Sequence, residues 1–301
     1  MLQYSLSKIL CRAALLFCLL LIAAPLATFA YEHLTTEEPS EPASVSVTPA
    51  PEAPPRPAFT LIAEDNAYLT TDQPVYDNFL VTERQQQNLP LRLPELIPYY
   101  GTKTVYLTFD DGPDPENTPY VLDLLKEYQI HATFFLVGKQ AAAHPDLVKR
   151  IFAEGHAIGN HSYNHDYRDL YRSPDAYFAQ IHRTDEIIKG IIGVRPRISR
   201  APGGTVGHFQ KAYWDRLKTE GYRDIAWNIS SGDASDGKAA DLYGNIAEQI
   251  QRQALWSHAI VLMHDGTGHK ETMKALRNII ELFRSQGFEF KVVNMRTPTA
   301  W

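Results

Sequence analysis

The sequence predicts an α/β fold built on a parallel sheet, either a barrel or an open doubly wound sheet. After Gly101, short runs rich in β-branched and aromatic residues alternate with longer segments in which apolar residues recur at helical spacing. Strands that are joined in succession by helices run parallel to one another. A hydrophobic fraction of 44% with 21% charged residues is enough to build a buried core.

The alternation defines seven strands and six helices. The predicted strands are residues 105–109, 132–137, 156–160, 197–201, 223–228, 259–263 and 289–293, and the predicted helices are residues 118–128, 145–154, 174–192, 210–220, 240–254 and 270–286. Periodicity does not decide between the barrel and the open sheet. In both, functional side chains gather where strands end and loops begin, so polar clusters at those ends are the candidates for chemistry.

Residues 1–30 have the pattern of an export signal. Lys8 and Arg12 precede an apolar run, residues 13–22, which is followed by small residues up to Ala30. The small residues favour a cleaved signal peptide, while the span of residues 13–30 is also about long enough for a signal anchor that would tether the chain to a membrane. The protein is therefore expected to be secreted, periplasmic or anchored on the outer face of a membrane.

The rest of the chain divides into three parts by composition. Residues 31–57 are rich in Pro, Glu, Ser, Thr and Ala and hold few bulky apolar residues, which is typical of a linker. Residues 58–100 mix apolar patches with polar turns but are too short for a core of their own. We expect them to form an N-terminal arm packed on the domain that follows, residues 101–301.

Charge and cysteine content restrict the partners and the stabilising chemistry. Without Lys8 and Arg12 the exported part has 27 basic and 35 acidic residues, a net charge of −8, which argues against nucleic acid as a partner. Both cysteines, Cys11 and Cys18, lie in the leader. The exported part therefore has no disulfides, and its core must be stable without them.

The first candidate cluster is Asp110-Asp111-Gly112-Pro113, directly after the first predicted strand. Two adjacent carboxylates repel each other unless a positive charge intervenes. A bound cation would provide that charge, with one carboxylate ligating it and the other moving a proton. The alternative is structural, in which one aspartate caps a helix and the neighbouring aspartate is solvated.

Two histidines at a spacing of four follow the strand at 156–160. His161 and His165 would face the same side if their segment were helical, which is the arrangement that two metal ligands need. With one carboxylate of the acid pair they make a set of three ligands that leaves a position for water. Such a set is typical of a catalytic rather than a structural zinc site.

Two further polar clusters end predicted strands. Arg200 is followed by Ala-Pro-Gly-Gly, which combines a fixed cation with a pliable backbone whose N–H groups could receive a developing oxyanion. The alternative there is a plain glycine-rich turn. His264 follows the apolar run at 259–263 into a loop, where its imidazole could protonate a leaving amine or could be a buried histidine satisfied by backbone.

In their order and spacing these clusters resemble the polysaccharide deacetylase family, also described as NodB-homology domains or family 4 carbohydrate esterases. The resemblance covers residues 104–293. It rests on four motifs, which are Thr-Phe-Asp-Asp-Gly-Pro at 108–113, His-Ser-x-x-His at 161–165, Arg-x-Pro-x-Gly at 200–204 and Leu-x-His at 262–264. Within the family the chain looks most like the bacterial deacetylases that act on the N-acetylglucosamine of peptidoglycan.

The resemblance implies a distorted (β/α)7 barrel with a divalent metal at Asp111, His161 and His165. Zinc is the first expectation for that metal, with cobalt, manganese or nickel as alternatives. Asp110 would take a proton from the attacking water, and Arg200 would orient Asp110.

The resemblance also assigns residues around the acetyl group. The backbone N–H of Gly203 would stabilise the tetrahedral oxyanion together with the metal, and His264 would protonate the departing amine. Asp233 would orient or tune His264. The residues expected to line the acetyl pocket are Pro202, Trp227 and Leu262.

Three positions depart from the common family pattern. In the segment 227–234, Ser230 stands where an aspartate is usual and Ala234 where a tryptophan is usual, while Asp233 remains. Gly203 replaces a frequent aromatic residue. Substrate contacts near Ala234 are therefore expected to differ from those of better-matched members.

The predicted function is hydrolysis of N-acetyl groups, a carbon-nitrogen amide bond, on N-acetylglucosamine of an extracytoplasmic polysaccharide. Peptidoglycan is favoured because the leader and linker place the domain outside the membrane. Alternatives are a deacetylase of chitin, chito-oligosaccharides or another exopolysaccharide, an O-acetyl esterase acting on xylan, and a catalytically silent glycan-binding module. The silent module is disfavoured because both carboxylates, all three histidines and Arg200 are present, and serine-hydrolase and His-Glu-x-x-His patterns are absent from the sequence.

Overall fold

The computed structural model describes residues 60–62 and 73–300. The predicted leader, the linker and the first part of the arm lie outside these residues, apart from the short strand at 60–62. Among the helices of the described residues, none combines the length and the apolar character needed to cross a bilayer.

Eleven strands and nine α-helices are present in the described residues. The strands are β1 Thr60–Ile62, β2 Val75–Asp77, β3 Thr104–Asp110, β4 Thr133–Leu136, β5 Ala157–Asn160, β6 Arg195–Pro196, β7 Ile198–Ser199, β8 Arg223–Asp224, β9 Ile229–Ser230, β10 Ala259–His264 and β11 Glu289–Phe290. The helices are α1 Val81–Gln86, α2 Asn117–Tyr128, α3 Gly138–Ala143, α4 Pro145–Ala153, α5 Tyr167–Leu170, α6 Pro174–Ile192, α7 Lys211–Glu220, α8 Ala239–Gln249 and α9 Lys270–Ser285.

Five of the six predicted helices agree with α2, α4, α6, α7 and α9 to within one residue at each end. The sixth is too long in the prediction, because α8 ends at Gln249 and a short 3-10 helix, Gln253–His258, follows it. Helix α6 begins at Pro174, directly after Ser173, whose hydroxyl accepts a hydrogen bond from the Ala176 N–H. It ends at Gly193 with a φ of 82°, a left-handed C-cap.

The parallel strands form a half-barrel in the order β8-β7-β5-β4-β3-β10-β9, with β11 beside the start of β3. The α/β class and the parallel sheet are therefore confirmed. The single strand predicted at 223–228 is wrong, because only residues 223–224 of that range form a strand, β8, and the next strand, β9, begins at residue 229. The carbonyl oxygens of Ile225 and Ala226, between these strands, accept hydrogen bonds from the Arg200 side chain, so this segment leaves the strand ladder.

Alternation along the central strands directs polar residues into the half-barrel. On β3, Val105, Leu107 and Phe109 pack in the large apolar cluster that includes the helices. Successive side chains point to opposite faces, so Thr108 and Asp110 lie on the inner face. The same alternation on β10 places Val261 and Met263 in the helix cluster and directs Leu262 and His264 inwards.

The described part of the N-terminal arm attaches through β2, which pairs antiparallel with β6. Asp77, at the end of β2, forms buried ion pairs with Arg84, Arg195 and Arg197. Strand pairing and buried ion pairs therefore join this segment to residues 195–197, which follow helix α6. The domain boundaries at residues 30, 57 and 100 stay predictions.

Candidate active site

Asp110 and Asp111 are neighbours at the end of β3 but meet different partners. Asp110 is buried in the strand, whereas Asp111 has a φ of 72°, in the left-handed region that aspartate tolerates better than most residues. Asp110 Oδ1 accepts a hydrogen bond from Arg200 at 2.9 Å. Asp111 Oδ1 faces His161 and His165. The positive charge of Arg200 reduces the mutual repulsion expected for the pair.

His161 and His165 lie in a turn after β5. The helical arrangement considered from the sequence is wrong, because Ser162 and His165 have φ values of 68° and 57°. Side chains hold this turn, since Asn160 Oδ1 accepts from the Ser162 N–H at 3.0 Å and Ser162 Oγ accepts from the His165 N–H at 3.2 Å. The two rings nevertheless come together, with centroids 5.1 Å apart.

Asp111, His161 and His165 bring three potential ligand atoms to one place. The Nε2 atoms of His161 and His165 lie 3.5 Å and 3.3 Å from Asp111 Oδ1. Ligands held about 2.0–2.1 Å from one tetrahedral ion lie about 3.3–3.4 Å from each other. Asp111 Oδ1 is buried and has no hydrogen-bond partner among the described residues. The spacing and the unpaired oxygen both fit a divalent metal.

The tautomer of His161 also fits a metal ligand. Its Nδ1–H donates to the Arg200 carbonyl oxygen at 2.8 Å, which leaves the Nε2 lone pair directed toward Asp111. Burial lowers the pKa of His161 to about 3. The ring is therefore neutral at physiological pH, as a metal ligand must be.

Arg200 fixes the orientation of Asp110. Its guanidinium donates to Thr108 Oγ1, Asp110 Oδ1 and the carbonyl oxygens of Ile225 and Ala226, at 2.7, 2.9, 2.8 and 3.3 Å respectively. Burial raises the pKa of Asp110, and the Arg200 charge opposes that rise. Because Arg200 engages Oδ1, Asp110 Oδ2 is left facing the ligand cluster, 3.7 Å from His161 Nε2.

The glycine-rich loop after Arg200 presents a backbone N–H. Gly203 and Gly204 have φ values of 70° and 83°, which favour glycine. The Gly204 N–H closes a turn on the Ala201 carbonyl at 2.8 Å, whereas the Gly203 N–H donates to no group within residues 73–300. The Pro202 carbonyl accepts from the Tyr171 hydroxyl at 2.6 Å, so the loop is held while the Gly203 N–H remains available.

Trp227 and Leu262, two of the residues predicted to line the acetyl pocket, lie beside the glycine-rich loop and on the inner face of the sheet. A Cβ on Gly204 would lie 3.1 Å from the Trp227 ring, which therefore packs on the glycine-rich loop. Leu262 is only 7% exposed and lies on the inner face of β10, two residues before His264. Pro202 is buried. Their role as an acetyl pocket stays a prediction.

His264 and Asp233 form a buried hydrogen-bonded pair. Asp233 Oδ1 accepts from His264 Nδ1 at 2.8 Å, and Asp233 Oδ2 accepts from the His264 backbone N–H at 2.7 Å and from Thr272 at 2.8 Å. Burial disfavours the charged imidazole, but the hydrogen bond and charge of Asp233 outweigh burial and raise the pKa of His264 to about 9. His264 is therefore protonated near neutral pH.

His269 belongs to a second group of potential ligand atoms, with Asp233 and His264. Its ring stacks on that of His264 with centroids 4.8 Å apart and an interplanar angle of 17°. In this group both carboxylate oxygens of Asp233 already accept hydrogen bonds. The Asp111 group, which has an unpaired buried oxygen, is therefore the better fit for a metal.

Sequence reasoning missed three polar residues that support the site. Asn160 links the histidine turn to α6 by donating to Asp185 Oδ1 at 2.7 Å. Asp265 is fully buried, accepts from the Thr118 hydroxyl, and has a pKa raised to about 7 by burial. His269 is the third. Asp265 had a visible signal, since it directly follows His264, whereas Asn160 and His269 stood in no recognised pattern.

Comparison with known proteins agrees with this geometry. Residues 99–225 match the family model for polysaccharide deacetylase. A peptidoglycan-N-acetylglucosamine deacetylase of Bacillus cereus is 33% identical over 205 residues, which cover 64% of this chain and 87% of that protein. The chain belongs to the polysaccharide deacetylase family. As a polysaccharide deacetylase it is a hydrolase acting on amide bonds.

Other polysaccharide deacetylases extend the comparison. A chitooligosaccharide deacetylase of a Bradyrhizobium species is 33% identical over 208 residues, covering 63% of this chain and 88% of that protein. The crystal structure of a polysaccharide deacetylase from Bacillus cereus superposes with a TM-score of 0.59 at 31% identity, over 65% of this chain and 96% of that one.

Two of the three departures from the family pattern, Ser230 and Ala234, lie in the segment of this deacetylase that carries Asp233. Ser230 is on β9, where its hydroxyl accepts from the Gly232 N–H at 3.2 Å, and Ala234 is exposed. Asp233 lies between them and keeps its contact with His264. The exchange at 230 therefore leaves the pair intact, while the exchange at 234 removes a large side chain from the surface.

Proposed function

We propose that the protein is a metal-dependent deacetylase that removes N-acetyl groups from N-acetylglucosamine residues of peptidoglycan. Relatives that are peptidoglycan-N-acetylglucosamine deacetylases support this substrate, and a chitooligosaccharide deacetylase supports an acetylated amino-sugar polymer more generally. The predicted leader and linker support an extracytoplasmic location, either secreted or tethered to a membrane, where peptidoglycan is accessible.

One observation carries the proposal. A buried carboxylate held by Arg200 lies beside an open set of three ligands, so a proton acceptor and a metal position share one space. Asp111, His161 and His165 would hold the ion, and two imidazoles with one carboxylate favour zinc, with cobalt, manganese or nickel as alternatives. A divalent ion bound by these residues would polarise the acetyl carbonyl and lower the pKa of a water molecule.

Side chains and a backbone N–H of this chain carry out the remaining steps of the reaction. Asp110 Oδ2 accepts the proton of the attacking water while Arg200 holds Oδ1. The Gly203 N–H donates to the acetyl oxygen as it becomes an oxyanion. His264 Nε2 gives its proton to the amide nitrogen while Asp233 holds Nδ1. A carbon-oxygen bond forms, the carbon-nitrogen bond breaks, and acetate and a free amine are released.

A panel of acetylated glycans tests this function. The full-length protein, loaded with zinc or cobalt, is incubated with peptidoglycan, chito-oligosaccharides or acetylated xylan, and acetate is measured beside an Asp110→Asn control. We expect acetate and free amines from the amino-sugar polymers. Acetate from xylan alone would identify an O-acetyl esterase, and no acetate above the control on any glycan would contradict the deacetylase function and leave the silent module as the alternative.

The dependence of activity on pH tests the role of His264. As a general acid His264 must be protonated, so kcat/KM should fall as the pH rises through its pKa, which Asp233 raises. In Asp233→Asn the carboxylate charge is lost while burial remains, so the alkaline limb should move to lower pH by about 1–2 units. The measurement is kcat/KM from pH 5 to 10. An unshifted alkaline limb in the variant would exclude His264 as the acid.

A further inference from the structure

An aromatic ring borders the open side of the ligand cluster. Tyr167 begins the short helix α5, where the Asp166 side chain accepts hydrogen bonds from the Arg168 and Asp169 N–H groups. The Tyr167 ring centroid lies 5.3 Å from that of His165 and 5.9 Å from that of His208. The side chain is 46% exposed. Tyr167 therefore stands at the edge of the site, where a substrate would pass.

The absence of a side chain at Gly203 gives Tyr167 its position. A Cβ at Gly203 would lie 2.9 Å from Tyr167 Oη and 3.1 Å from Cζ, too close to be tolerated without a shift. The Tyr167 hydroxyl therefore lies close to the backbone of Gly203, whose N–H is proposed to donate a hydrogen bond to the oxyanion. The φ of 70° at Gly203 further favours glycine there.

The hydroxyl of Tyr167 differs from those of Tyr171 and Tyr213. Tyr171 donates to the Pro202 carbonyl at 2.6 Å and Tyr213 donates to the Tyr171 carbonyl at 3.3 Å, so both hydroxyls already form hydrogen bonds within the protein. Tyr167 Oη has no hydrogen-bond partner in the part of the chain that the structure describes.

We infer that Tyr167 provides a second hydrogen-bond donor in the oxyanion site. Its hydroxyl donates to the acetyl oxygen, beside the Gly203 N–H. This inference rests on the proposed deacetylase function. The acetyl oxygen gains charge as the tetrahedral state forms, so a donor aimed at it stabilises the transition state more than the bound substrate. Tyr167 then affects kcat more than KM.

The test compares Tyr167→Phe, which removes only the hydroxyl, with Tyr120→Phe, which alters a similarly exposed tyrosine on α2. For Tyr167→Phe, kcat on chito-oligosaccharides should fall by about 10²-fold, the size seen on loss of one oxyanion donor. KM and zinc content should not change. Tyr120→Phe should match the wild type. If Tyr167→Phe keeps its kcat, the inference is wrong.

A binding measurement separates this inference from the proposed function. Acetohydroxamate carries the same acetyl oxygen, and its affinity for the zinc-loaded full-length protein is measured by calorimetry. Tyr167→Phe should bind it about 2–10-fold more weakly, as expected for one lost hydrogen bond. Equal affinities would overturn the inference even if no glycan is hydrolysed. If Tyr167→Ala has a higher KM while Tyr167→Phe has normal kinetics, the ring stacks on the sugar and the hydroxyl is not an oxyanion donor.

Discussion

Replacing Asp110 by asparagine is expected to lower kcat by about 10²–10⁴-fold, the usual contribution of a positioned proton acceptor. Asparagine has nearly the same shape and can still accept the Arg200 hydrogen bond through its amide oxygen. The amide nitrogen would then occupy the Oδ2 position, which faces His161 Nε2 at 3.7 Å, and could not take a proton from water. The loss should therefore be catalytic rather than structural.

Measuring metal affinity beside activity gives this prediction its control. Asp110→Asn should bind zinc nearly as well as the wild type, because Asp110 is not one of the three clustered ligand atoms. Asp111→Asn should lose zinc affinity and activity together, because Asp111 Oδ1 is the oxygen that both histidines face. Calorimetric titration of metal-free protein measures both. An Asp110→Asn variant that retains a tenth of wild-type activity would refute the assignment of the base.

The parts of the site that local pattern could predict are those at strand ends. Asp110, Arg200 and His264 each follow or end an apolar strand, and in a parallel sheet such ends meet at one edge. Strand alternation then determines which side chains point inward. The structure brings together Asp111, His161 and His165 as the sequence proposed, although their precise turn was not foreseen.

Long-range hydrogen bonds explain what the sequence could not reveal. The strand predicted at 223–228 ends at Asp224 because Arg200, more than twenty residues earlier, donates hydrogen bonds to the carbonyl groups of Ile225 and Ala226. The turn at His161 is held by Asn160, which α6 in turn anchors through Asp185. No local periodicity encodes such partners, because each joins segments that are distant in the chain.

The buried network around Asp77 is the largest feature that sequence periodicity did not anticipate. Asp77 Oδ2 accepts hydrogen bonds from Arg84 at 2.7 Å, Arg195 at 3.0 Å and Arg197 at 2.7 Å. The Asp77 side chain and all three arginine side chains are fully buried. Removing the carboxylate would leave three guanidinium groups in the interior with their shared counter-charge missing.

We therefore expect Asp77→Ala to lower the free energy of unfolding by about 3–5 kcal/mol, the cost of breaking a buried ion pair from one side. Urea unfolding followed by circular dichroism measures it. Asp215→Ala is the control, because it removes an exposed pair with Lys211 on α7 and should leave the midpoint almost unchanged. Equal midpoints for the two variants would mean that solvent or repacking compensates the arginines.

The same network predicts how stability depends on pH. Burial tends to raise the pKa of Asp77, but Arg195, Arg84 and Arg197 outweigh it and lower the pKa below its ordinary value. A lowered pKa in the folded state contributes stability above the unfolded pKa of about 3.9, and that stability is lost as the pH falls through the folded value. The difference in unfolding free energy between wild type and Asp77→Ala should thus be largest near neutral pH and shrink in strong acid. A difference that stays constant from pH 7 to pH 2 would show that lost packing, rather than lost charge, destabilises the variant.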